Sequence, residues 1–205
     1  MPSEVVGTRE QIVQAARDLI AARGLANTTT RAIAARAGCA EGSIYRHFPD
    51  KRALLMECVK TRFPEYFQLV ASFPERVGTA TVKGNLEEIA VGAMRFFLGV
   101  VPLLAGVVAE RDLLLAQRRH FLETNTGPLR MLDALTRYLD GERRIRRIAA
   151  TASPRHAARL LMGGCFAHAF LLELMGERAA VGTEERYARE VVRTVMEGIT
   201  PPEDR

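Results

Sequence analysis

The sequence predicts an all-α protein: a cluster of short helices at the N-terminus followed by a larger helical domain. Three observations carry that prediction. Apolar residues recur with the helical period nearly everywhere, and no convincing run of alternating β residues appears. Glycine and proline fall between the periodic stretches, as stops and starts of helices. The composition, 48% hydrophobic and 26% charged over 205 residues, is that of an ordinary globular chain with length for one large domain or two small ones.

Each element has its own signal. Thr8 is expected to open the first helix, with Gln11 at the capping-box position. Ile12, Ala15, Ala16, Leu19 and Ile20 form one apolar stripe, and Gly24 is a C-terminal stop. Leu25-Ala26-Asn27 connects to a second helix with Thr28-Thr29-Thr30 as hydroxyl caps and Ile33, Ala34 and Ala37 facing inward. Gly38 breaks it after about two turns. A third short helix, over roughly Ala40–His47, buries Ile44 and part of Tyr45. Pro49-Asp50 interrupts the pattern, and Asp50 caps a fourth helix carrying Leu54, Leu55, Cys58 and Val59. The helical pattern resumes at about Asn85, runs through Leu86–Val100 and restarts after Pro102. Further helices are expected at about Pro128–Asp140, Pro154–Met175 and Thr183–Ile199. Ser153-Pro154 gives the second of these a cap with proline at its first position, and Thr183-Glu184-Glu185 gives the third a cap with an acidic first turn.

Charge is unevenly placed. Residues 1–62 hold ten Lys/Arg against six Asp/Glu, while 63–205 hold 19 against 18. A basic segment joined to a near-neutral one suggests an anionic partner for the first part only. The start of the sequence has no basic flank and no apolar core of a signal peptide. The most apolar stretch, Phe96–Ala109, is expected to be broken by Pro102 and two glycines and to be too short to span a bilayer. Cys39, Cys58 and Cys165 are odd in number and widely spaced, which argues for reduced core thiols rather than disulfides or zinc ligands. A cytoplasmic protein without metal or cofactor is expected. No glycine-rich phosphate loop, G-x-S-x-G or Cys/His arrangement suggests catalysis, and His120, His156 and His168 lack metal-site spacing.

Two short helices joined by a glycine-containing turn and packed on a longer one make a helix-turn-helix. Ala34, Ala37 and Gly38 allow the close crossing this needs. Such a unit puts the N-terminal half of its second helix into the DNA major groove. Ile44 and Phe48 share the inward face of that helix, which leaves Glu41, Gly42, Ser43, Arg46 and His47 for solvent or DNA.

The stretch Thr8–Leu55 closely resembles the N-terminal domain of the TetR family of bacterial transcriptional regulators. The matching pieces are Ile12-x-x-Ala15-Ala16-x-x-Leu19-Ile20, Gly24, Thr28-Thr29-Thr30-x-x-Ile33-Ala34 and Ala37-Gly38. They continue with Gly42-Ser43-Ile44-Tyr45-x-His47-Phe48 and Lys51-x-x-Leu54-Leu55. Ala40 departs from the family, which usually caps this helix with Ser or Thr; an alanine cap costs on the order of 1 kcal/mol. The resemblance implies a DNA-binding domain over 5–65 and an effector-binding, dimerising helical domain over 66–205.

It also implies roles. Thr28 and Thr30 are placed to donate to phosphate oxygens, or to serve only as caps, and Arg31 joins the DNA-facing set. Tyr45 and Lys51 match positions that grip the backbone without reading sequence. Gly42 would allow close approach, Ser43 would help position the helix, and His47 would donate to phosphate. Arg46 is the best candidate for a base contact, since a guanidinium can bridge guanine O6 and N7. Glu41 could accept from cytosine N4, or could be a surface carboxylate that suits a helix N-terminus. The last two long helices would pair with their copies in a homodimer. The middle helices would enclose a small-molecule effector, with Met94, Phe96, Phe97, Phe121, Met131, Leu135, Tyr138, Phe166 and Phe170 as candidate lining residues. Tyr138, His168 and Arg95 would supply polar groups, a mixture suited to a lipophilic molecule. The expected function is a repressor that binds a palindromic double-stranded operator and is released by its effector. A DNA-binding architectural protein without an effector, and an enzyme for which no catalytic set is visible, are the other readings of the same residues.

Overall fold

The computed structural model describes residues 7–25, 27–176 and 182–199, without the side chains of 198 and 199. Ala26 of the first connection and the side chain of Ile199, the end of the last expected helix, therefore lie outside the described residues. Among those described the chain is all-helical, with ten α-helices and one 3-10 turn. It divides into two compact units, the first from Met1–Pro64 with Pro102–Glu123, the second from Glu65–Val101 with Thr124–Arg205.

In the first unit α1 (Thr8–Arg23) packs against α2 (Thr30–Ala37), α3 (Glu41–His47) and α4 (Lys51–Arg62). The core is made of small and branched side chains: Ile12, Val13, Ala15, Ala16, Ile33, Ala34, Ile44, Phe48, Leu54 and Cys58. Gly38 ends α2 in the left-handed conformation (φ 70°, ψ 29°), where its N–H and that of Cys39 close back on Ala35 and Ala34. A glycine meets that backbone need without steric cost. A second apolar cluster joins Ile20, Leu25 and Leu55 to Leu113, with Leu103 and Val107 packed on it. This ties the segment 102–123, which holds all of α7 (Arg111–Thr124) but its last residue, to the first unit. Gly106 is required there, because a Cβ would stand 2.6 Å from that of Leu25.

Several helix starts differ from the sequence reading. Thr8 is the first helical residue and Gly7 is the cap, with no side-chain cap bond, so no capping box forms. Ser153 occupies the cap position of α9 (Pro154–Met175), but its hydroxyl pairs with His156 Nδ1 at 2.7 Å instead of a backbone N–H. Thr29, Asp50 and Thr183 do cap, each accepting from a backbone N–H three residues on.

The second unit contains α5 (Pro64–Ser72) and a 3-10 turn (Phe73–Arg76), elements that the apolar period alone did not reveal. α6 (Val82–Ala109) then runs through Pro102 without a break, which corrects the expected restart, and the boundary between units falls at that residue. A proline inside a helix forfeits one ladder bond and costs about 3 kcal/mol. Burial of Val100 and Val101 before it, and partial burial of Leu103 and Val107 after it, offsets that loss. With 28 residues, α6 is long and apolar enough to cross a membrane by length and composition, as is α9, and the stretch Phe96–Ala109 is its C-terminal half. Both helices carry buried stripes against the protein interior. α8 (Pro128–Arg144) extends one turn beyond the expected Asp140 and packs on α9 and on the 3-10 turn, while α9 packs on α10 (Glu184–Ile199).

A polar cluster fixes one end of the second unit. Glu142 is fully buried, accepts from the N–H of Gly78 at 3.1 Å and pairs with Arg147 at 3.3 Å. Arg147 in turn donates to the carbonyls of Thr79 and Ala80, while Asn85 donates to Thr79 and to the Tyr138 hydroxyl, both at 3.0 Å. These bonds hold the turn between Arg76 and α6, including Ala80 at a left-handed φ of 44°.

Candidate functional site

The candidate recognition helix is short and anchored by little of its own surface. α3 has seven residues and one fully sequestered side chain, Ile44 at 1% exposure, with Phe48 buried just after it. Its N-cap, Ala40, has the extended backbone of a cap residue (ψ 146°) but offers no side-chain acceptor. Glu41 does not replace the missing cap; its carboxylate accepts the Thr30 hydroxyl at 2.6 Å and ties the first turn of α3 to that of α2. Glu41, Gly42, Tyr45, Arg46 and His47 are exposed and Ser43 is half-buried, so this polar face is open to solvent. Tyr45 stands 54% exposed, so most of its ring lies outside the core that the sequence reading partly assigned it to.

The flanking residues differ from one another. Arg31 is exposed at the first turn of α2. Thr28 is 1% exposed and donates to the Gly24 carbonyl at 2.7 Å, so its hydroxyl faces its own backbone. Lys51, at the start of α4, pairs with Glu110 at 2.9 Å. Neither the Thr30–Glu41 bond nor the Lys51–Glu110 pair was read from the sequence, because each joins groups on different elements, 11 and 59 residues apart. A further pair steadies the domain beneath. Arg9 bonds Glu57 at 2.7 Å and lies over the Phe48 ring, and its hydrogen bond holds the Glu57 carboxyl below the usual range. Cys58 is buried against the Val13 carbonyl, and burial pushes its thiol up to about 12.

The candidate effector residues fall into three groups. Met94, Phe97, Met131, Leu135 and Tyr138 are buried in the second unit. Phe96 is half-buried, and Phe166 and Phe170 stand 38% and 46% exposed on α9. Phe121 belongs to the segment that packs with the first unit. Aromatic rings run in series through the second unit: Tyr66 stacks on Phe96 at 4.4 Å, Phe96 meets Phe97 at 5.5 Å, Phe97 meets Phe166 at 5.4 Å, and Phe166 stacks on Phe170. Tyr66, buried at the first turn of α5, was absent from the sequence reading; its one signal was its place in the ring-rich run Phe63-Pro64-Glu65-Tyr66-Phe67. Of the polar residues expected here, Tyr138 is engaged by Asn85, Arg95 pairs with Glu184 and Glu185 of α10, and the His168 ring stacks on Tyr187 at 3.9 Å. Among the described residues no group of three or more His, Cys, Asp or Glu is arranged to hold a metal ion.

Comparison with known proteins agrees with this geometry. Residues 12–58 match the family described as bacterial regulatory proteins, tetR family. The HTH-type transcriptional repressor KstR2 of Mycolicibacterium smegmatis is 39% identical over 111 residues, which is 54% of this chain and 52% of that protein. KstR2 of Rhodococcus jostii is 39% identical over 70 residues, 32% of this chain and 34% of that one. The chain thus matches about half the length, or less, of these curated relatives. Among solved structures, SmeT, the repressor of the Stenotrophomonas maltophilia multidrug efflux pump SmeDEF, aligns with a TM-score of 0.71 at 20% identity, covering 96% of this chain and 92% of that one. The regulator FadR from Bacillus subtilis, in complex with stearoyl-CoA, aligns with a TM-score of 0.66 at 22% identity, covering 92% and 98%. At these identities the likeness is one of fold. With its helix-turn-helix exposed over a core of matching residues, the stretch 12–58 is similar to the DNA-binding domain of the tetR family of bacterial regulatory proteins.

Proposed function

We propose that the protein is a cytoplasmic transcriptional repressor that binds a palindromic operator as a homodimer and is released by a small lipophilic effector. The observation that carries this reading is the exposed polar face of α3, set over Ile44 and Phe48 at the end of a helix-turn-helix. A helix so placed enters the major groove, with half-sites about 34 Å apart on one DNA turn. Arg46, exposed and without a hydrogen bond or ion pair among the described residues, reads a base, and Glu41 reads another once it gives up Thr30. Arg31, Thr30, Ser43, Tyr45, His47 and Lys51 hold phosphates and set the register, with Gly42 allowing close approach.

The homodimer reading is supported by α9. Leu160, Leu171 and Leu174 are 67%, 47% and 65% exposed, and Gly163 and Ala167 lie between them at helical spacing. An apolar face of that size on a lone chain suits a second copy. The effector reading is supported by the aromatic interior of the second unit and by the fold it shares with a stearoyl-CoA complex.

Selection from randomised duplex DNA with the full chain should recover a palindrome. Arg46→Ala should then relax preference at one symmetric position, costing about 1–3 kcal/mol per half-site. Equal loss on the selected site and on random DNA would show that Arg46 holds the backbone instead. Lys51→Ala should lower the salt slope by about one per half-site.

A further inference from the structure

The hydroxyl groups inside the second unit are not equally well partnered. Tyr138 receives the Asn85 amide at 3.0 Å and lies beside Glu142, and Tyr187 donates to the Gly164 carbonyl at 3.1 Å. Tyr66, on α5, is 5% exposed and donates to the thioether sulfur of Met131 on α8. A thioether is a weak acceptor, and burial raises the Tyr66 phenol well above its ordinary range, so the group stays a donor at any physiological pH. The ring is fixed from both sides. Phe96 stacks on it at 4.4 Å and 18°, and Gly92 brings α6 so near that a Cβ there would stand 2.8 Å from Leu69 and 3.4 Å from Tyr66. Met131 differs in kind: it is unbranched and adaptable, able to turn aside where a branched neighbour could not.

The geometry points to Tyr66 as the specificity-determining donor of the effector site: an apolar ligand carrying a carbonyl-type oxygen displaces the Met131 sulfur and takes the Tyr66 hydrogen bond. This rests on the effector reading above and narrows it from any lipophilic molecule to one with an oxygen acceptor. A buried donor with only a weak internal acceptor gains by the exchange, whereas a pure hydrocarbon must leave it with the thioether. It also singles out a residue that only Phe63, Pro64 and Glu65 separate from α4, so an effector held by Tyr66 acts on the first turn of α5.

The test uses two probes of equal chain length, n-decane and 2-decanone, with the full-length protein. Affinity is read by calorimetry and by near-ultraviolet difference absorbance, which is clean here because the chain has four tyrosines and no tryptophan. Wild-type protein should bind the ketone more tightly than the alkane, with a tyrosine difference spectrum for the ketone alone. Tyr66→Phe keeps the stacked ring; it should weaken 2-decanone about fivefold, abolish that spectrum and leave n-decane unchanged. Met131→Leu removes the competing sulfur and should widen the preference for the ketone. If Tyr66→Phe binds both probes as wild type does, or loses both equally, Tyr66 is not the recognition group and the lipophilic site stands without it. If neither probe binds wild-type protein, the effector reading fails first and this inference with it.

Discussion

Both units carry exposed ion pairs, such as Arg95–Glu185 and Arg193–Glu190 in the second, but they differ in one buried charge. In the first, the ion pairs Arg9–Glu57, Arg36–Asp18 and Lys51–Glu110 all keep contact with solvent over an aliphatic core. In the second, Glu142 is sealed at 0% exposure with Arg147 as its partner, and Asn85 and His168 are buried with it. Solvated pairs contribute roughly 0–1 kcal/mol and exchange partners cheaply, as a surface that must accept phosphates requires. Buried charges are fixed, and removing one partner leaves the other stranded. The first unit is thus built to exchange its ion-pair partners, while the second keeps one fixed polar cluster around Glu142.

The sharpest way to break this comparison is Arg147→Met. It leaves the Glu142 carboxylate buried without its counter-charge and drops the bonds to the carbonyls of Thr79 and Ala80. The second unit should lose about 3 kcal/mol, measured by urea denaturation with amide exchange in α8 as the local reporter. Removing both charges, Glu142→Leu with Arg147→Met, should recover part of that loss. Arg36→Met, which breaks an exposed pair in the first unit, should cost less than about 1 kcal/mol. If the two single substitutions cost the same, the contrast between the units is wrong.

The same contrast decides what the sequence could reveal. The helix-turn-helix depends on local spacing: Thr29 capping α2, Gly38 at a left-handed turn, and Ile44 and Phe48 four residues apart all lie within 20 residues. Helical period and cap chemistry report directly on such contacts. The second unit depends on partners far apart in the chain, such as Glu142 with Gly78 and Tyr66 with Met131, 64 and 65 residues apart. No periodicity encodes those. Pro102 misled for a related reason, since a local rule predicts a break and packing of Val101 before the proline and Leu103 after it overrides it. The Ser153 hydroxyl was likewise predicted to cap its helix, but a histidine one turn on competes for it.

A smaller effect sharpens the account of the first unit. Ala40 already has the backbone of a cap residue, with φ −71° and ψ 146°, and lacks only an acceptor. Ala40→Ser should place a hydroxyl within reach of the N–H of Gly42 or Ser43 and stabilise this unit by about 1 kcal/mol. Thermal denaturation should show the gain, with the Thr30–Glu41 bond undisturbed. No gain, or a loss, would mean that the start of α3 is already satisfied by other donors and acceptors.

The smallest effect is a pH dependence confined to the second unit. Burial holds the His168 imidazole below its ordinary value of 6.5, while Glu184 pulls the other way. Glu184 and Glu185 are partly neutralised by Arg95 of α6, and the Tyr187 ring covers the His168 face from α10. The folded state therefore takes up this proton less readily than the unfolded chain. The stability that neutral His168 provides is complete above about pH 6.5 and is lost as pH falls through its lower folded value. In the first unit the depressed groups are carboxyls, Asp18 and Glu57, whose contribution is present above about pH 4.5 and fades only in stronger acid. Amide protection in α9 and α10 should accordingly weaken between about pH 7 and 5.5 while that in α1 and α4 holds. His168→Phe should remove the difference and keep the stack on Tyr187. Equal softening of both units over that range would assign the acid sensitivity to groups other than this buried ring.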